Sequence, residues 1–236
     1  MVMSNIDWPE TIRTVASVAT AFIAFSALKN WQRQDKAKRE AEFLDAVVEE
    51  THSFIAKMPT LIALVEIIKI GFKSNAPISE HSSQEDNEIQ GAIAYIQKNG
   101  ERDASRLGDE LEKARTSVTK LRSLAAKGNL FNFINYHKCH WAITNLAWQF
   151  DAIEGLWSFI SNQAWNWENP EVLDWLKNEM AIDPNAIREN TKSQNVAILE
   201  FARETYAHIY GPSKHFFNGL KSLLGYIQKY VSQNKK

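Results

Sequence analysis

Three short stretches of this 236-residue chain hold side chains that could do chemistry: "HKCH" at 137–140, "EETH" at 49–52 and "RETYAH" at 203–208. His137, Cys139 and His140 are all metal-ligand types. On a helix His137 and His140 share a face, but Cys139 points about 200° away from His137, so the three cannot converge on one ion. The chain has a single cysteine and therefore no CxxC pair, and no metal site is expected. Glu49 and His52 match the Glu-x-x-His of carboxylate-bridged di-iron bundles, which need two such motifs and two further glutamates. Only one is present, so His52 is read as a hydrogen-bonded or surface histidine. A Gly-rich phosphate loop, a GxSxG elbow and an HExxH pair are all missing, and no cofactor is implied.

The third stretch places Arg203 and His208 five residues apart. It resembles the Arg-x4-6-His motif of the HEPN-type ribonucleases, all-α domains that pair to bring two such motifs together over RNA. That resemblance implies that His208 assists proton transfer at the ribose 2′-OH while Arg203 holds the scissile phosphate. It covers these six residues and the helical class alone. Where the family often carries a polar residue after the arginine, this chain has Glu204, an acid poorly placed beside phosphate.

The elements that must position these residues are helical. Glycines number nine and prolines six, no stretch alternates with period two, and the apolar residues recur at helical spacing. A hydrophobic content of 44% excludes global disorder. Lys+Arg 27 against Asp+Glu 28 gives no overall field toward nucleic acid. From Glu10 to Met58 there is neither glycine nor proline, which predicts one helix on the order of 70 Å long. Along it Ala41, Leu44, Thr51 and Met58 form one stripe and Phe43, Val47, Phe54 and Leu61 a second. Two stripes point to a bundle rather than an isolated coiled coil. Pro59 should restart the helix, 74–88 reads as a polar linker, and Asn99-Gly100 should separate a short helix from a longer one at about 101–127. Pro170 and Pro184 each follow a capping residue and should open helices. Ser213 should cap a last helix with an apolar stripe from Phe216 to Val231.

At the N-terminus, fifteen uncharged residues lie between Arg13 and Lys29. Their composition suits a membrane span, a core helix or a cleaved signal. If Arg13 and Lys29 bend outward, the usable span runs from Trp8 to Trp31, with tryptophan at both boundaries. The basic residues that follow (Lys29, Arg33, Lys36, Lys38 and Arg39) would stay on the cytoplasmic side facing anionic lipid. This predicts an all-α protein with a single transmembrane helix running into a cytoplasmic helical bundle. It would be bacterial in style and held at the inner membrane, N-terminus out, with lipid contact through residues 8–31. The expected divisions are an anchor at 1–31, stalk or bundle helices at 32–73, a linker at 74–88 and a bundle at 89–236.

Six of the eight tryptophans fall between Trp141 and Trp175. Trp141, Trp148, Trp157, Trp165 and Trp167 are the candidate partner-binding residues, because tryptophan dominates interface hot spots. The expected function is protein–protein interaction or self-association, as a regulator, tether or membrane-acting effector. The alternatives are the HEPN-like ribonuclease and a wholly soluble helical scaffold whose N-terminal helix closes its own core.

Overall fold

A computed structural model describes residues 8–77 and 83–211, without the side chains of 8–12, 14 and 15. The expected cap at Asp7, His81 and the helix expected after Ser213 lie outside these residues, as does the side chain of Trp8. The described part is all-α, with six helices and no strand: α1 Trp8–Ile55, α2 Met58–Ser74, α3 Gln84–Gly128, α4 Tyr136–Ile160, α5 Pro170–Ala181 and α6 Pro184–Tyr210. They fall into two compact units. One holds Phe43–Thr205; the other holds the described residues on either side of it, 8–42 and 206–211.

Within Phe43–Thr205, local chemistry sets most helix ends. α1 stops at Ile55 and Pro59 sits in the first turn of α2, where its missing N–H costs nothing. The Asn169 side chain accepts from the Glu171 N–H at 3.0 Å to open α5, and Asp183 accepts from the Asn185 N–H at 2.9 Å to open α6. Both stripes of α1 and α2 are buried at Leu44, Val47, Phe54, Met58, Leu61 and Val65. They close a core with Leu107, Leu111 and Leu121 of α3 and Ile143, Leu146 and Phe150 of α4. At one end Phe43, Phe131, Phe133, Tyr136 and Phe201 pack ring against ring, with centroids 5.0–6.3 Å apart. The turn feeding α4 uses Asn132 and Asn135 at φ 52° and 60°, a region that asparagine tolerates well.

Two helix boundaries differ from the sequence-based expectation. The polar run at 84–88 is not linker but the first turn of α3, because Ser83 accepts from the Asp86 N–H at 3.1 Å and Glu85 and Asp86 favour the helix N-terminus. α3 also runs unbroken through Gly100 for 45 residues. A Cβ at Gly100 would stand 2.5 Å from the Ile160 carbonyl oxygen, so this glycine admits the end of α4 rather than ending a helix.

The unit holding residues 8–42 overturns the expected transmembrane helix. Among the described residues no helix is long and apolar enough to cross a membrane, which also counts against the single-pass inner-membrane placement. Fifteen uncharged residues cover only about 22 Å at 1.5 Å per residue, against about 30 Å of hydrocarbon. The basic cluster is half neutralised within its own helix: Asp35 pairs with Arg39, Glu40 with Lys36 at 3.6 Å and Glu42 with Lys38 at 3.8 Å. Arg13, Lys29, Trp31 and Arg33 are exposed. In the same unit the Tyr206 hydroxyl donates to the Ala41 carbonyl at 3.4 Å and its ring stacks on Tyr210.

Candidate partner-binding surface

α4 carries a broad apolar face, and its neighbours leave the opposite side of the helix uncovered. Cys139, Ile143, Leu146, Phe150 and Ile153 turn into the core. Trp141 and Trp148 turn out of it, 65% and 69% exposed. Seven residues are two turns, so the two indoles leave nearly the same face about 10 Å apart. Exposed Thr144 and half-buried Asn145 lie between them, and half-buried Ala152 follows. This face has no charge between the tryptophans. The nearest acid, Asp151, is engaged by Arg122. Large, small and large side chains in sequence along one helix face make a shallow seat of the kind that takes the side chains of another helix.

The other four tryptophans between Trp141 and Trp175 touch neighbours inside the chain. Trp157 lies over Gly108, its Nε1 2.8 Å from where a Cβ would be, beside a groove of about 410 Å³ lined by Glu101, Asp109, Glu112 and Arg115. Trp165 stacks on Phe159 at 5.1 Å and donates from Nε1 to the Phe159 carbonyl at 2.8 Å. Trp167 meets the same ring edge-on at 6.1 Å, and Trp175 stands against Trp165. Of the five candidate tryptophans, the structure turns Trp141 and Trp148 outward and folds Trp157, Trp165 and Trp167 onto neighbouring helices and turns.

The residues with chemical potential are dispersed. Arg203 and His208 are both exposed on α6, and a five-residue step turns them about 140° apart around the helix axis. His137 is exposed, whereas Cys139 is fully buried and its thiol is pushed up to about 12 by burial. His140 Nδ1 lies 3.3 Å from the Ala125 carbonyl. His52 is exposed, as is Glu49. Among the described residues, no three His, Cys, Asp or Glu side chains are placed to hold a metal ion.

Two polar groupings escaped the sequence reading. Buried Asp103 accepts from the Tyr95 hydroxyl and from Arg102 at 3.0 and 3.1 Å. The second joins α2 to α5. Lys69 donates to the Met180 carbonyl, and its amine is lowered by burial and then by Lys73. Glu179 is raised by burial, against the pull of Lys69, and its Oε2 is buried without a hydrogen bond. A carboxyl raised in the folded state penalises folding while ionised, so its contribution improves as pH falls from neutral through the raised value. Glu179→Gln is therefore expected to raise stability at pH 7 and to flatten the gain on mild acidification, as urea titrations at pH 7 and pH 5 would show.

Comparison with family models, with curated proteins and with solved structures gives no match, so function is argued from this surface.

Proposed function

We propose that the chain is a protein-binding module that docks a helix of another protein on the outward face of α4, with Trp141 and Trp148 as anchors. The observation that carries this reading is the exposure of two tryptophans two turns apart on an uncharged strip. Nucleic acid is a poorer fit, because the strip offers no cation between the indoles to meet phosphate. A partner helix with apolar side chains at matching spacing would cover both rings and exclude water from Thr144 and Asn145.

The test is a photo-crosslinking residue at Thr144, with the exposed α3 position Lys113 as control, in the full chain made in its native cells. The reading expects one adduct at position 144 that is absent at 113 and is lost when Trp141→Ala and Trp148→Ala are added. An adduct that survives the tryptophan changes overturns it. Adducts with a second copy alone replace the partner with self-association.

A further inference from the structure

Lys69 and Lys73 stand one turn apart on α2 and so share a face. Both line a cavity of about 250 Å³, together with Phe72 of the same helix, Glu88 of α3 and Met180 of α5. Lys69 is half-buried and Lys73 exposed. The acid nearest to Lys69 along α2, Glu66, is taken by Arg188 at 2.6 Å. Two lysines on one wall thus face a single lining carboxylate, Glu88. We propose that this cavity takes a small aldehyde or ketone bearing a carboxylate, that Lys69 adds to its carbonyl to form an imine, and that Lys73 pairs with its carboxylate.

The walls set the class of ligand. Pockets for drug-sized molecules run to ~300–1,000 Å³, and this one falls below that range, so its ligand has only a few carbons. Phe72 and Met180 give the carbon chain an apolar bed, while the Lys73 ammonium at the exposed edge meets the anionic end. The Lys69 amine is held in place, because it donates to the Met180 carbonyl.

An amine attacks a carbonyl only as the free base, which burial and a neighbouring cation both favour. Burial lowers the Lys69 amine first and Lys73 lowers it further. The acids facing it, Glu88 from α3, Glu179 from α5 and Asp183 just beyond α5, pull the other way without cancelling the shift. Glu179 is itself raised by burial and is therefore a weakened counter-charge. In the reaction the nitrogen lone pair forms the C–N bond as the carbonyl bond breaks. The oxygen leaves as water with one amine proton and one proton from solvent. The iminium keeps the other amine proton, which still donates to the Met180 carbonyl, and no oxidant or reductant is consumed.

The test treats the full chain with limiting glyoxylate and cyanoborohydride, which reduces the imine to a stable carboxymethyl-lysine, and maps the modified lysines by mass spectrometry. At pH 7 the expected result is modification of Lys69 about tenfold faster than of the exposed Lys98. The lead should narrow at pH 10, where the exposed amine also sheds its proton. Equal rates at the two lysines at pH 7 would overturn the proposal. Uncharged propanal, or glyoxylate with Lys73→Gln, is expected to shrink the lead severalfold. A lead that stays the same in both would overturn the pairing of Lys73 with the carboxylate.

Discussion

Replacing Asp103 with alanine is expected to lower the unfolding free energy by about 3 kcal/mol, the upper range for stranding a buried hydrogen-bonding group. Asp103 is 4% exposed and holds the Tyr95 hydroxyl, with Arg102 on the same carboxylate and Arg106 3.9 Å away. Tyr95 in turn lies against Gly71 and stands edge-on to Phe72 at 5.5 Å, so the carboxylate fixes the ring through which α3 grips α2. Burial alone would raise the Asp103 carboxyl. The hydrogen bonds from Arg102 and Tyr95 and the arginine charges outweigh burial and hold it below the ordinary carboxylate range. The sign follows: with the folded value depressed, the contribution is whole above the unfolded value of about 3.9 and is lost as pH falls through the folded one. Urea titrations from pH 7 down to pH 2 should show wild type and Asp103→Ala converging below about pH 4. A difference that stays constant with pH would mean that the carboxylate charge plays no part.

Gly100→Ala is expected to cost about 2 kcal/mol, against the sign that helix propensity alone gives. An alanine in an open helix interior gains about 1 kcal/mol over glycine. Here the added Cβ would stand 2.5 Å from the Ile160 carbonyl oxygen, a backbone atom that moves only with the end of α4. Gly155 is the control. Its Cβ would meet the Glu179 carboxylate at 3.3 Å, a side chain able to yield, so Gly155→Ala is expected near neutral. Thermal or urea unfolding of the two variants should separate them by about 2 kcal/mol. Equal stability would show that α4 does not depend on the close approach at Gly100.

These residues also mark where the sequence was legible. Pro170 and Pro184 with their caps, and the restart at Pro59, are local signals, and the helices begin there. Gly100 is not local: its reason lies sixty residues away at Ile160, and spacing alone reads it as a break. The stripes on α1 marked a bundle because they are wide. The stretch after Arg13 was read as a span on its composition, while its length falls short and the acids Asp35, Glu40 and Glu42 temper the basic residues beyond it. The candidate surface was legible as a concentration of tryptophan, and Trp141 with Trp148 as a two-turn repeat. Which indoles turn outward was not legible, since Gly108 and Phe159 decide it for Trp157, Trp165 and Trp167. Asp103 gives no sequence signal, because nothing nearby in sequence announces Tyr95 as its partner.

The central claim is that the outward face of α4 binds protein through two indoles. It is tested most directly by the Kd of the complex rebuilt from the purified chain and the partner crosslinked at position 144, with and without Trp141→Ala and Trp148→Ala. Two hot-spot tryptophans at about 2 kcal/mol each predict a loss of about 1,000-fold for the double variant. A Kd within about threefold of wild type, with helical content unchanged, would contradict the account.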